Sequence, residues 1–293
     1  MKPHHPFVSA EAEHRYVHRY REEEARWPVP YESLCLDTPE GRTYLRVSGP
    51  ESAPPLVLLP GLTTPSLTWA VNAAGWARTH RVYAPDMIYD AGLSRNAVPV
   101  WRKRTLLSWL GHLFRAAHVP EPFALAGMSY GGWLAAEYAL ARPEAVSRLV
   151  LLAPAATVLP LRKRFLAATA ACLFFPRLCA DRYFRWMFAR SAEHPGAVTL
   201  PEFQAAARLR LSSFRLRLPA LPRVFPEAEL ARLPRFLFLM GEDDRLYDAR
   251  AAVRRLRRAA PQGEARVIAG AGHDLPVIAA EKVNALVSDF LRA

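Results

Sequence analysis

Gly127-Met128-Ser129-Tyr130-Gly131 is the stretch of this chain whose residue types and spacing could do covalent chemistry. A serine hydroxyl is a weak nucleophile until it is lifted clear of its neighbours, given a base, and faced by donors for the oxyanion it creates. The apolar run Phe123-Ala124-Leu125-Ala126 precedes the motif, and small and apolar residues at helical spacing follow it. The segment therefore reads as strand, one-residue turn and helix, with Ser129 on the turn. Gly127 and Gly131 carry no Cβ, so strand and helix can close around a strained serine backbone. The helix start behind them directs N–H groups toward developing negative charge.

The base for such a serine is sought among nine histidines. Only His273 stands in a loop directly after a late strand. Its neighbours, Ala269-Gly270-Ala271-Gly272, are small enough to let an imidazole cross the carboxyl edge of a sheet to Ser129. His112 and His118 fall on a helix, His194 falls in a helical insertion, and all three are read as structural or solvated. His14 and His18 stand four apart, the spacing of a helical metal pair, but they have neither a third ligand nor the glutamate of a metalloprotease motif. No metal and no cofactor are expected.

A histidine base needs a carboxylate to fix its tautomer and stabilise the imidazolium. Gly241-Glu242-Asp243-Asp244 follows the strand before the histidine loop, whereas Ala153-Pro154 after the preceding core strand carries no acid. Asp244, at Gly-x-x-Asp, is the expected acid, with Asp243 as the alternative and Glu242 behind it. The order Ser129, Asp244, His273 differs from that of chymotrypsin and of subtilisin. Backbone N–H groups of Leu62, after an apolar strand, and of Tyr130, after the serine, are the expected oxyanion donors.

The elements that must position these groups follow from the pattern. Residues 9 to 26 read as a leading helix capped at Ser9 and stopped by Pro28. Tyr31 to Asp37 and Thr43 to Val47 read as a hairpin around Pro39-Glu40-Gly41. Pro55 to Leu59 is continuously apolar, as a strand covered on both faces requires. Strand-like runs at 80–86, 123–126, 148–152, 235–241 and 265–268 alternate with helices at 69–78, at 101–118, directly after Ser129, at 249–259 and at 277–291. This alternation implies an α/β chain with right-handed crossovers and a mainly parallel sheet. From 159 to 232 the alternation stops, and helix-like segments punctuated by Pro176, Pro195, Pro201, Pro219 and Pro222 read as an inserted lid. The expected organisation is an α/β core over 1–158, a helical lid over 159–232, and the rest of the core over 233–293.

Composition narrows the function classes. The chain has 293 residues, 51% of them hydrophobic, enough for a large core. The formal charge is +12, yet of the 39 basic residues only Lys2, Lys103, Lys163 and Lys282 are lysines. Arginines scattered through helices, with no accompanying motif, do not describe a nucleic-acid surface. Cys35, Cys172 and Cys179 form neither a metal spacing nor a disulfide framework, and residues 1–26 have no apolar leader segment. The longest uncharged apolar run, Phe165 to Phe175, is short of the roughly 20 residues that span a bilayer. A cytoplasmic location without a stable membrane anchor is expected.

With these residues in view, the chain resembles the α/β-hydrolases, and within them small bacterial carboxylesterases of the Bacillus type. The likeness runs from Trp27-Pro28-Val29-Pro30-Tyr31-Glu32 to the C-terminus. It is most specific at Tyr83-Ala84-Pro85-Asp86-Met87-Ile88-Tyr89-Asp90, Leu152-Ala153-Pro154-Ala155-Ala156 and Gly241-Glu242-Asp243-Asp244-Arg245-Leu246-Tyr247-Asp248. The resemblance implies an α/β-hydrolase fold with an eight-stranded sheet, and Ser129, Asp244 and His273 as a triad. One departure is visible: the family usually has His-Gly after the third strand, and here the pair is Pro60-Gly61.

The implied reaction is two-step acyl transfer from a hydrophobic small-molecule ester through an acyl-enzyme. Thioesters, lactones and carbon–carbon bonds beside a carbonyl are open to the same serine, and a scaffold that binds without turnover is the reading from another class. Tyr183, Trp186 and Met187 span about one helical turn in the insertion, share a face, and are expected to line an aromatic substrate pocket.

Overall fold

The computed structural model describes residues 6–189, 200–215 and 219–292. His194 and Pro195 lie outside the described residues. Helix α1 (Ala10–Glu24) leads into the antiparallel pair β1 (Tyr31–Thr38) and β2 (Gly41–Ser48). Ser9 caps α1, accepting the Ala12 N–H at 3.1 Å. Then come β3 (Pro55–Leu59), a 3₁₀ turn (Ser66–Trp69), α2 (Ala70–Trp76), β4 (Arg81–Pro85) and the short β5 (Arg95–Asn96). They are followed by α3 (Lys103–Ala116), β6 (Phe123–Met128), α4 (Tyr130–Ala141) and β7 (Val146–Leu152). Helices α5 (Lys163–Phe174), α6 (Pro176–Met187), α7 (Leu200–Ser213) and α8 (Glu227–Leu230) separate β7 from β8 (Phe236–Gly241). The chain closes with α9 (Ala249–Ala259), β9 (Glu264–Ile268), α10 (Leu275–Ile278) and α11 (Ala280–Arg292).

The sheet order is β1-β2-β4-β3-β6-β7-β8-β9, with β5 pairing to β2. From β4 to β9 every pairing is parallel. The sheet thus has nine strands where eight are expected. The extra one is the two-residue β5, whose Arg95 and Asn96 pair antiparallel with Arg42 and Gly41; two residues are too few to leave a periodic signal. The expected closing helix breaks at Ala279, whose φ of −113° and ψ of 32° leave helical space between α10 and α11.

The central strands explain why this sheet forms. Leu56 to Leu59 in β3, Leu149 to Leu152 in β7 and Phe236 to Met240 in β8 are all buried, as strands covered on both faces must be. Helix α2 packs with α10 and α11, and α3 with α4. Trp69, Trp76, Trp109 and Trp133 are fully buried around them. Chain order reverses at β3, which lies between β4 and β6. In open parallel sheets such a reversal leaves a crevice at the carboxyl ends of the strands, and the residues that leave β3 and β6 face each other there.

Helix α1 is tied to the sheet by a buried cation. Arg46 on β2 donates to Glu24 at 2.8 Å, to the Tyr20 hydroxyl at 2.7 Å and to Ser66 at 3.0 Å. The Tyr20 hydroxyl passes the link on to Asp86 at 2.8 Å. Burial raises the cost of the Glu24 carboxylate, but bonds from Tyr44, Arg46 and Arg21 outweigh it and hold its pKa below the ordinary value. Among the described residues, no helix is long and apolar enough to cross a membrane, and no group of three or more His, Cys, Asp or Glu could hold a metal ion.

Candidate active site

Ser129 stands between β6 and α4 with φ 53° and ψ −117°, a conformation that a side chain rarely adopts. The surroundings over-determine it. Its N–H donates to the Leu152 carbonyl at 2.9 Å, and its own carbonyl accepts from Ala155 at 2.8 Å and Trp133 at 3.1 Å. Gly131 is required by close approach, because a Cβ there would stand 2.3 Å from the Leu59 carbonyl oxygen. Strand β3 therefore runs directly against the first turn of α4, and its exit loop is delivered beside the serine: a Cβ on Gly61 would lie 3.3 Å from that of Ser129.

The His273 loop reaches the same point from the end of β9. His273 Nε2 lies 3.0 Å from Ser129 Oγ, and Nδ1 lies 2.9 Å from Asp244 Oδ2. With Asp244 ionised, Nδ1–H donates to the carboxylate, which leaves Nε2 as acceptor for the serine hydroxyl. Asp244 itself is fixed by its other oxygen, which accepts the Leu246 N–H at 2.8 Å. Gly241 lets the two loops touch, since a Cβ there would meet the Gly272 carbonyl oxygen at 2.3 Å. Asp243, the alternative acid, is half-buried, and its N–H donates to the Ala271 carbonyl at 3.0 Å.

His273 and Asp244 are buried. Burial disfavours the imidazolium, but the Asp244 charge, the Asp244 hydrogen bond and the charge of Asp274 act against it. The net result is a His273 pKa above its ordinary 6.5. Among the described residues, neither the Leu62 N–H nor the Tyr130 N–H enters a hydrogen bond, so both remain available as donors. The Tyr130 side chain is anchored elsewhere: its hydroxyl donates to the Ala220 carbonyl at 2.6 Å, and its ring meets that of Tyr89 edge-on at 5.2 Å.

Helix α6 ends against the histidine loop, where the Met187 carbonyl oxygen would be 3.7 Å from a Cβ on Gly272. Met187 is buried in the main core, and half-buried Tyr183 and Trp186 pack against that core. The Tyr183 hydroxyl pairs with Thr169 at 3.1 Å, and burial pushes its pKa up to about 12, with the charge of Asp244 adding to the rise. The guanidinium groups of Arg164 and Arg245 lie over the Trp186 ring at 5.3 and 5.9 Å. Of the other histidines weighed above, His14 and His18 are exposed, and His112 pairs with Glu40 at 2.8 Å.

Two acids in the loop after β4 have no role in the sequence reading, although both fall inside its most specific passage. Buried Asp86 accepts Ser66 N–H and Oγ–H at 2.8 and 2.7 Å and Leu93 N–H at 2.7 Å. Asp90 accepts the N–H groups of Ala91, at 2.7 Å, and of Thr63. A period-2 or period-3.6 pattern carries no trace of such bonds; an acid following Pro85 in a loop was the one available signal.

The chain as a whole is similar to known proteins. A sequence model described as the alpha/beta hydrolase family matches residues 56–286. The Bacillus subtilis (strain 168) carboxylesterase nap is 33% identical over 288 residues, covering 95% of this chain and 93% of its own. The carboxylesterase YbfK of the same organism is 30% identical, with 97% and 96% covered. The crystal structure of naproxen esterase from Bacillus subtilis superposes with a TM-score of 0.86 at 30% identity, covering 97% of this chain and 99% of that one. The family match spans most of the described chain and the likeness to nap runs nearly end to end, and on those grounds this chain belongs to the alpha/beta hydrolase family.

Proposed function

We propose that this protein is a serine carboxylesterase that uses Ser129 as nucleophile, His273 as general base and acid, and Asp244 as the group that orients the imidazole. The observation that carries the reading is the continuous run from Ser129 Oγ through the imidazole to Asp244, at 3.0 and 2.9 Å. The relatives named as carboxylesterases supply the substrate class, since the same run of groups also serves other acyl transfers.

In the first step His273 Nε2 accepts the Ser129 proton as Oγ attacks the ester carbonyl. The Leu62 and Tyr130 N–H groups stabilise the oxyanion. The imidazolium then donates that proton to the leaving alkoxide, and the acyl-enzyme forms. Water, deprotonated by the same nitrogen, attacks the acyl carbonyl, and Ser129 leaves with the proton returned to it. Helices α5, α6 and α7 of the insertion act as a lid over this site, with Tyr183, Trp186 and Met187 facing the hydrophobic part of the ester. The substrate is a small hydrophobic ester; neither nucleic acid nor a cofactor takes part. The free cysteines Cys35, Cys172 and Cys179 fit a cytoplasmic location.

The test is labelling with a fluorophosphonate probe together with hydrolysis of p-nitrophenyl esters of graded acyl length. Wild-type protein should label and turn over, and Ser129→Ala should do neither. Turnover surviving in Ser129→Ala, or a wild-type protein inert in both assays, would overturn the assignment.

A further inference from the structure

The oxyanion loop lacks the histidine that usually precedes Gly61, and Pro60 has neither a polar side chain nor an N–H to replace it. The loop from Pro60 to Pro65 must still hold the Leu62 N–H in one place, because a donor displaced by about 1 Å can forfeit about 100-fold in rate. Packing does not hold it on every side. Leu62 and Thr63 border a cavity of about 70 Å³ whose walls include Ile88, Tyr89, Asp90 and Arg210. A loop beside a void drifts unless polar contacts fix it.

Those contacts are present, and they converge on the residues either side of Leu62. The Asp90 carboxylate accepts the N–H of Thr63 with one oxygen and the N–H of Ala91 with the other, the latter at 2.7 Å. Thr63 sits at a φ of 63°, which a threonine does not adopt without restraint. The Thr64 hydroxyl donates back to the Gly61 carbonyl at 2.9 Å, closing the loop across Leu62. Nη1 of Arg210, from α7, approaches the Thr63 carbonyl at 3.5 Å. The peptide units flanking Leu62 are thus gripped by two side chains, while its own N–H is left unengaged.

We propose that Asp90, assisted by Thr64, is the positioning residue of the oxyanion hole: it clamps Thr63 so that the Leu62 N–H points at the substrate oxyanion. The inference rests on the serine hydrolase reading above. A buried carboxylate is otherwise expensive to keep. Burial, with the nearby Asp86 adding to it, outweighs the bonds from Ala91 and Thr63 and the charge of Arg210, and the Asp90 carboxyl stands raised to about 6. Such a group is spent on backbone N–H donors of one particular loop, and that loop is the one that carries the oxyanion donor.

Asp90→Asn tests the clamp. The amide has the carboxylate's shape but one acceptor where two are needed, and a neutral group at this buried site removes a desolvation penalty, so the fold is retained. Thr64→Val is the second variant: it removes the hydroxyl on a half-buried side chain at constant shape. In each, kcat on a p-nitrophenyl ester should fall about 10- to 100-fold with KM changed less than about twofold, since an oxyanion contact is made in the transition state and not in the ground state. The rate of fluorophosphonate labelling, which needs the same hole, should fall in parallel, while thermal melting stays near wild type. Wild-type kcat and labelling rates in Asp90→Asn, or in Thr64→Val should Asp90→Asn fail to fold, would overturn the clamp and leave the esterase reading standing. A loss carried in KM, or one that tracks a fall in melting temperature, would also overturn it. A wild-type protein that neither labels nor turns over removes the hydrolase reading and the clamp together.

Discussion

Asp244 holds two loops at once: Oδ2 lies 2.9 Å from Nδ1 of His273, and Oδ1 accepts the N–H of Leu246, in its own loop, at 2.8 Å. Asp244→Asn keeps the shape and loses the charge, and its amide favours the wrong imidazole tautomer. We expect kcat to fall by about 10⁴-fold with the circular dichroism spectrum unchanged. Asp243→Asn should change kcat by less than about threefold. The two variants assayed side by side decide the matter, and a larger loss in Asp243→Asn would reassign the acid.

The pH profile should carry the signature of the same pair. Only neutral imidazole accepts the serine proton, so activity rises with pH, and because the His273 pKa is raised the midpoint should lie above 6.5. The linkage to stability has the opposite sense. The imidazolium–carboxylate contact stabilises the fold fully below the unfolded histidine value, and that contribution is lost as pH rises through the folded pKa. In Asp244→Asn burial is left to dominate, and the midpoint of the residual activity should move to lower pH. Rate measurements from pH 5 to 9 on both proteins check this; coincident midpoints would contradict it.

Gly131→Ala should cripple the elbow. The added Cβ would stand 2.3 Å from the Leu59 carbonyl, so β3 and α4 must separate. Overpacking of this kind costs roughly 1–3 kcal/mol or more. It also displaces Gly61 from Ser129. A lowered melting temperature together with slow fluorophosphonate labelling is the expected pair of results.

Arg46→Met should be among the most destabilising changes in the protein. Arg46 and Glu24 are almost completely buried at 1% and 3% exposure, and removing the cation leaves the Glu24 carboxylate without its 2.8 Å partner. Breaking a buried pair costs about 3–5 kcal/mol. In the double variant Arg46→Met with Glu24→Gln part of that loss should return, because Glu24, which keeps its bonds from Tyr44 and the half-exposed Arg21, no longer carries a buried charge that lacks its buried cation. Urea denaturation of the single and double variants measures both effects.

Trp186→Ala and Met187→Ala separate packing from substrate contact. If α6 faces the acyl chain, kcat/KM should drop selectively for one length class of p-nitrophenyl ester, by about 1 to 3 kcal/mol in transition-state binding. Losses equal across all lengths that follow the melting temperature would assign both side chains to the core alone.

The backbone of this protein was legible in its sequence because the relevant signals are local. Apolar runs such as Leu56 to Leu59 mark strands covered on both faces, and Gly127 to Gly131 marks a strand-to-helix turn wherever such a run ends on it. Alternation of strand and helix then carries the parallel sheet, and with it the rule that loops at the carboxyl ends meet. Each of these inferences uses residues within a few positions of one another.

What tertiary structure decided lies between residues far apart in the chain. Asp243 and Asp244 are neighbours with near-identical local prospects; only the arrival of the β9 loop, admitted by Gly241, puts His273 against Asp244. Arg46, Glu24, Tyr20 and Asp86 look like scattered polar residues until β2 is covered by α1, after which burial makes each the partner the others need. Asp90 gave no periodic signal either, since its bonds run to the backbone of Thr63, 27 residues earlier. The physical reason is common to all three. Periodicity reports which face of an element avoids water, whereas a buried charge is specified by whichever groups the fold brings within about 3 Å of it, and no local pattern encodes that distance.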